Sequence, residues 1–411
     1  MADYAELSSD GLCASTTIIC RQKKDKDTKM SNYKSVKSAY VMDATTGQTL
    51  YSDKGDKKLP IASLSKLMTL YLTTKAIQAH KISWNEKVPV SKELIKMSKS
   101  YELGTFKIKE SKEYTVKQLY QAALIASSNS SAIALGELVA GGSNSKFISE
   151  MNQQAKKWGI DATFVSASGL DNTDLRHYGL QIAGTSKKAQ NEVSAKAISI
   201  VAQKLLKLDG GITRWSSLTS KTIGNQTLTN VNALLKGGAY YRSSNHVTGL
   251  KNGYTETAGL CLTTTYYRDG HLLIATVLGS DTIFTTTNGL ITHLDKVLDH
   301  KEVTLKTPTY HVKNHQVKTT TSTKKVLVWY LKNKDADNVA VKDTLTAKTL
   351  PVKKGATVAT TKFTNTGLPT ATSLTLQAKN KVASDKATQS KTAKQESLMQ
   401  KKLPTFFGHL F

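Results

Sequence analysis

The sequence predicts an α+β fold, and three observations carry that prediction. Strand-like alternation opens the patterned part of the chain near residue 38 and returns after about residue 227. Between these stretches, from about residue 60 to 205, apolar residues recur at spacings of three and four, the period of a helix face. Beyond about residue 300 the composition turns to Thr, Val and Lys in short alternating runs, the mark of a separate all-β module. The expected organisation is a leader over 1–34, an antiparallel sheet with a helical region over 35–298, a small β-rich domain over 299–382, and a linker with an amphipathic tail over 383–411.

The elements follow in chain order. Residues 21–34, "RQKKDKDTKMSNYK", are charged and aperiodic and read as a disordered or vestigial leader. "SAYVMDATTGQTLYSDK" reads as two strands around a turn at Thr45 to Gly47. "LSKLMTLYLTTKAIQ", "VKQLYQAALIASSNSSAIALGELVA", "NSKFISEMNQQAKKWG" and "SAKAISIVAQKLLKL" read as helices. "TLTNVNALL", "VTGLKNGYT" and "LCLTTTYYRDGHLLIATVLG" read as strands, with "RDG" as a hairpin turn. Strands at both ends with helices between predict one sheet closed by the N- and C-terminal segments. In the last third, "KVLVWYL" and "GATVATTKF" are the strongest strand patterns. At the end of the chain, Leu398, Met399, Leu403, Phe406, Phe407, Leu410 and Phe411 recur beside Lys391, Lys394, Lys401 and Lys402. That is the pattern of a basic amphipathic helix lying in a membrane interface.

Composition narrows the function classes. The chain has 411 residues, 39% of them hydrophobic, enough to bury more than one core. Lys and Arg number 57 against 31 Asp and Glu, a net charge of +26, so the protein works beside something negative: nucleic acid, anionic lipid or an anionic wall polymer. No zinc knuckle, aromatic RNA-binding motif or Walker loop occurs, which leaves nucleic acid with the charge alone behind it. Cys13, Cys20 and Cys261 form no Cys-x-x-Cys pair, so neither a disulfide framework nor a zinc site is supported. No run of about 18 apolar residues exists to span a membrane. The first residues carry Asp3, Glu6 and Asp10 before a short apolar stretch, an atypical export signal.

The chemistry begins at "LPIASLSKLMTL", where Ser63 and Lys66 stand one turn apart inside an apolar run. Three other Ser-x-x-Lys pairs, Ser31 with Lys34, Ser143 with Lys146 and Ser322 with Lys325, sit in polar surroundings and read as solvated loops. Ser63 at a helix start can attack a carbonyl only if its proton is removed, and Lys66 lies on the same face within reach. A lysine serves as that base only when burial and a second cation favour its neutral form. Leu64, Leu67 and Met68 supply the apolar setting, and Lys251 would supply the cation if the fold brings it near. Two further clusters follow in order: Ser127, Ser128 and Asn129 at a break in a helical segment, and Lys251, Asn252 and Gly253 at the start of a strand.

Ser-x-x-Lys, then Ser-x-Asn, then Lys-x-Gly in this order resembles the signature of penicillin-binding proteins and serine β-lactamases. The surrounding words "IASLSKLMT", "LIASSNSSAIAL", "FVSASGLDN" and "GLKNGYTETAGLCL" resemble the D-alanyl-D-alanine carboxypeptidases, the low-molecular-mass penicillin-binding proteins of peptidase family S11. The resemblance covers roughly residues 36–290, and the β module with its amphipathic tail fits that family's layout. It implies a β-lactamase/transpeptidase-like domain and an acyl-enzyme on Ser63, with Lys66 as base and Ser127 relaying a proton to the leaving amine. Asn129 would orient the scissile amide. Lys251, with Asn252 and Gly253 beside it, would bind the free carboxylate of the substrate, and the N–H groups of Ser63 and Tyr254 would form the oxyanion hole. Neither a metal nor a cofactor is implied. The expected partners are peptidoglycan stem peptides ending in D-Ala-D-Ala, β-lactams as covalent inhibitors and an anionic membrane surface, with no nucleic acid. The expected location is the outer face of a Gram-positive-type cell membrane.

One position departs from the family pattern: Asn252 stands where Thr or Ser is usual, so an amide replaces a hydroxyl beside the carboxylate. Reduced turnover, or a wall-binding protein with little catalysis, is the alternative this suggests. A class A β-lactamase would need a Glu after Ser-x-Asn to activate the deacylating water, and residues 153–191 contain none.

Overall fold

The computed structural model describes residues 36–321, 323–333, 339–364, 366–369 and 372–383. The leader with Cys13 and Cys20, the Ser31 and Lys34 pair, Ser322 and the amphipathic tail lie outside the described residues. The chain divides between Val297 and Leu298 into two compact units.

The first unit is built on a five-stranded antiparallel sheet. Its strands are β1 (Ser38–Asp43), β2 (Thr49–Asp53), β3 (Val247–Thr255), β4 (Gly259–Arg268) and β5 (His271–Ser280), in the order β3-β4-β5-β1-β2. The N-terminal hairpin thus extends a sheet made from the end of the unit, as the strand patterns at both ends predict. Ser38 pairs with Leu278 and Asp43 with Leu273. Gly47 takes a φ of 79° in the first hairpin turn, and Asp269 and Gly270 take φ values of 49° and 79° in the second. The left-handed pair in the second turn matches the twist of its flanking strands.

Every residue of β1 is buried, so the sheet is covered on both faces. The predicted helices form where expected: α1 (Lys66–Gln78), α2 (Val116–Ile125), α3 (Asn129–Val139), α4 (Asn144–Trp158) and α5 (Ala195–Leu208). Their starts are capped by the local sequence. Thr115 and Gln118 form a capping box on α2, and the Ser128, Ser143 and Ser194 hydroxyls accept from the first turns of α3, α4 and α5. Ser143, the Ser-x-x-Lys decoy, is only a cap, its hydroxyl accepting from the Lys146 N–H. Helix α5 lies on the sheet, where the Ser199 and Thr276 hydroxyls are 2.7 Å apart and Gln203 donates to the Ala44 carbonyl.

One reading is corrected and one unpredicted helix is added. "TLTNVNALL" is strand only over Gln226–Thr229; from Asn230 the chain turns, its asparagine side chains bonding nearby backbone instead of a ladder. A further helix, α6 (Ile283–Val297), follows β5 and packs on β4 and β5, burying Phe284, Leu290 and Leu294. Its Thr- and Asn-containing sequence has low helix propensity, and burial of one face outweighs it.

The second unit is antiparallel β. Strands β6 (Leu298–Thr304) and β9 (Lys325–Leu331) pair with each other. Strands β7 (Thr309–Val312), β8 (His315–Thr320), β10 (Ala340–Leu345), β11 (Thr357–Thr364) and β12 (Thr372–Ala378) form a sheet in the order β7-β8-β12-β11-β10. Two small cores hold it, one around Val328, Tyr330 and Phe363, the other around Val312, Val317 and Val358.

Candidate active site

Ser63 sits in a 3-10 turn, Ala62–Ser65, that runs directly into α1. The turn is held by the Ser65 hydroxyl, which donates to the Ala62 carbonyl at 2.8 Å. Ser63 is half-buried, whereas Lys66, the first residue of α1, is completely buried. Lys66 Nζ lies 2.8 Å from Ser63 Oγ, 2.8 Å from Asn129 Oδ1 and 2.7 Å from the Ser168 carbonyl oxygen. The Asn129 amide nitrogen in turn donates to the Leu103 carbonyl at 3.1 Å, which fixes which way the amide faces.

Proton counting gives this geometry a direction. A lysine ammonium would donate to all three oxygens; a neutral amine has only two N–H groups and one lone pair. Asn129 Oδ1 and the Ser168 carbonyl can only accept, so in the neutral form they take both N–H groups. The lone pair is then left facing Ser63 Oγ, whose hydroxyl donates to it. Burial holds the Lys66 pKa well below the ordinary lysine value, and the charge of Lys251 lowers it further. The apolar wall expected from sequence is present: Leu64, Leu67 and Met68 are all fully buried.

Lys251 lies on β3, also buried, with its pKa brought down to about 7 by desolvation. Its Nζ donates to the Asn252 carbonyl at 2.7 Å. Two residues on, Gly253 brings β3 against Ser63. A β-carbon there would lie 2.8 Å from the Ser63 nitrogen and 3.1 Å from the Ala62 β-carbon, closer than side chains tolerate. β3 is an edge strand among the described residues, and it packs against the turn that holds Ser63.

The other candidates are placed less directly. Ser127 occupies the break between α2 and α3 with a φ of 59°, half-buried, and Lys66 bonds to Asn129 rather than to it. Asn252 and Tyr254 are half-buried on β3. Ala62, just before Ser63, takes a φ of 47°. Left-handed residues other than Gly cost roughly 1–3 kcal/mol and persist only where surrounding structure enforces them. Here one such residue, Ala62, adjoins Ser63, and the other is Ser127 itself.

Sequence reasoning missed the third partner of Lys66. The Ser168 carbonyl is a main-chain group, so no residue type marks it; the word "FVSASGLDN" around it is the only trace.

A half-exposed serine beside a buried lysine with a favoured neutral form, backed by a glycine-lined strand edge, defines a serine acyl-transfer site of the Ser–Lys type. The chain belongs to the D-alanyl-D-alanine carboxypeptidase family, peptidase family S11, which it matches over residues 25–282. It is 31% identical over 252 residues to the D-alanyl-D-alanine carboxypeptidase DacF of Bacillus subtilis, covering 60% of this chain and 58% of that one. The chain thus spans under three fifths of the length of that relative. Among solved structures it is similar to a peptidoglycan synthesis regulatory factor (PBP3) from Streptococcus pneumoniae, with a TM-score of 0.67 and 26% identity, covering 85% of this chain and 99% of that one. It is also similar to penicillin-binding protein D2 from Listeria monocytogenes in its ampicillin-bound form, with a TM-score of 0.53 and 29% identity, covering 65% and 99% of the two chains.

Proposed function

We propose that the protein is a serine-type D-Ala-D-Ala carboxypeptidase that removes the terminal D-alanine from peptidoglycan stem peptides. The observation that carries this reading is the 2.8 Å contact between Ser63 Oγ and the buried Nζ of Lys66. Neutral Lys66 takes the Ser63 proton as Oγ attacks the carbonyl of the penultimate D-alanine. The N–H groups of Ser63 and Tyr254 hold the oxyanion. Ser127 passes the proton to the departing amine, the amide C–N bond breaks, and water then hydrolyses the ester on Ser63 to complete the cycle. Lys251, as ammonium, binds the substrate's terminal carboxylate, with Asn252 beside it in place of the family's hydroxyl. The substrate backbone extends along the free edge of β3. A β-lactam, whose strained amide mimics the scissile bond, acylates Ser63 in the same way.

The test is a fluorescent penicillin. The wild-type chain is expected to take up one covalent label, Ser63→Ala none; a label that survives in Ser63→Ala removes Ser63 as nucleophile. Release of D-alanine from a pentapeptide separates a turning-over hydrolase from a protein that acylates and stalls.

The same reading puts the protein outside the cell, peripheral to the membrane through its C-terminal tail. The net charge of +26 supports it, since wall polymers and lipid head groups are anionic. No helix among the described residues is long and apolar enough to cross a membrane. Deleting residues 396–411 is expected to reduce sedimentation with anionic liposomes; unchanged sedimentation rejects the tail as anchor.

A further inference from the structure

We propose that Asn191 is a positioning residue for the reaction, fixing at once the chain that enters the nucleophile and the loop whose carbonyl holds Lys66. The inference rests on the reading of Ser63 and Lys66 given above, and it concerns a residue that touches neither substrate nor reacting atoms.

Asn191 is buried, 1% exposed, immediately before the short strand Glu192–Ser194. That strand pairs with Lys58–Pro60, so Pro60 stands opposite Glu192. The pairing carries Asn191 next to the start of the catalytic turn, where its carbonyl accepts from the Ile61 N–H at 3.3 Å. Its side chain works in the other direction. Oδ1 accepts from the N–H groups of Val165 and Ser166 at 2.7 and 3.0 Å, and Nδ2 donates to the Ser166 carbonyl at 2.7 Å. One side chain therefore satisfies three backbone groups of the loop.

From Ser166 the constraint passes to Ser168. Ser166 Oγ accepts from the N–H groups of Ser168 and Gly169, and lies 2.9 Å from Ser168 Oγ. Thr69, one turn beyond Lys66 on α1, donates to the Ala167 carbonyl at 2.7 Å and ties the loop to the same helix. The loop ends on the Ser168 carbonyl, 2.7 Å from Lys66 Nζ.

The consequence follows from the two N–H groups of a neutral amine. If the Ser168 carbonyl drifts, one N–H loses its acceptor, the amine rotates, and the lone pair turns away from Ser63 Oγ. The charged neighbour acting on Lys66 is Lys251; Ser63, Asn129 and Ser168 surround its nitrogen otherwise. A loosened loop also admits water to an amine whose pKa is depressed mainly by burial.

The experiment compares wild type with Asn191→Ala and Ser166→Ala, the second of which loosens the same carbonyl without touching the strand pair. Acylation by the fluorescent penicillin is measured from pH 5 to 9, D-alanine release gives kcat and KM, and a melting curve fixes the working temperature well below unfolding. Asn191→Ala is expected to slow acylation about 100-fold, a loss typical of a small misplacement of a reacting group. The loss should fall on kcat with KM little changed, and the acid limb of the profile should move to higher pH. Ser166→Ala is expected to lose less in the same direction. Unchanged acylation with an unmoved acid limb in a folded variant overturns the proposal. A loss that only follows the folded fraction, with the profile unshifted, overturns it too, and if Asn191→Ala does not fold, Ser166→Ala decides alone. Wild type failing to label on Ser63 would instead sink the functional reading itself.

Discussion

Lys66→Arg is expected to abolish acylation for practical purposes, slowing it about 10³-fold, the contribution of a positioned general base. The substitution keeps the positive charge and much of the bulk, so a role as a fixed cation would survive it. A guanidinium, however, does not lose its proton in a protein and cannot accept one from Ser63. The same argument fixes the pH dependence of the wild type. The active form of Lys66 is neutral, so acylation rises as pH climbs through its lowered pKa and is lost below it. Lys251 has the opposite requirement, since only its ammonium form binds a carboxylate, and its pKa in the free protein is about 7. Affinity for carboxylate substrates is therefore expected to fall above about pH 7, giving a bell whose alkaline limb appears in KM and flattens in Lys251→Ala. An acylation rate indifferent to pH, or a Lys66→Arg variant that labels normally, would contradict the assignment of the base.

Gly169→Ala should be the most damaging single methyl in the first unit. Gly169 takes a φ of 89°, and a β-carbon there would collide with the carbonyl oxygen of Ala62 and stand 3.0 Å from the Ser63 nitrogen. Both neighbours are backbone, so nothing can rotate out of the way. Strain and overpacking together are expected to cost about 3 kcal/mol. For a unit of this size that lowers the melting midpoint by about 5–6 °C. Because Gly169 follows Ser168, the displacement also reaches Lys66, and labelling should drop even at temperatures where the variant is folded. A variant that melts and labels like wild type would show that the loop has room which the backbone contacts deny.

Much of this was legible in the sequence, for identifiable reasons. "VTGLKNGYT" coincides with β3 because its ends are punctuated and its residues suit a pleated strand. The break in "LIASSNSSAIAL" falls between α2 and α3 because Ser128 prefers to cap a helix rather than continue one. Ser63 and Lys66 were found through apolar company, and that company is what buries the amine. The parts that escaped depend on tertiary context. α6 forms from residues that favour strands because one face of it is buried. The contact of Asn129 Oδ1 with Lys66 leaves no trace in the sequence, because a side chain's type does not reveal which neighbours it serves. Asn191 and the Ser168 carbonyl act through backbone hydrogen bonds, which leave no pattern in residue type or spacing.

The strand order of the sheet has a consequence for how the protein comes to be active at all. β1 pairs locally with β2 on one side, but on its other side it meets β5, with Ser38 opposite Leu278. Chain closure over such a separation is slow, and nothing nearer in sequence can substitute for it. During synthesis, the central pairing of the first unit must wait until about residue 280 has emerged, with the lysine-bearing strand and the serine-bearing turn both already present but not yet locked together. A nascent or truncated chain therefore carries all three motifs without a working base, and acylation competence should appear late and in one step.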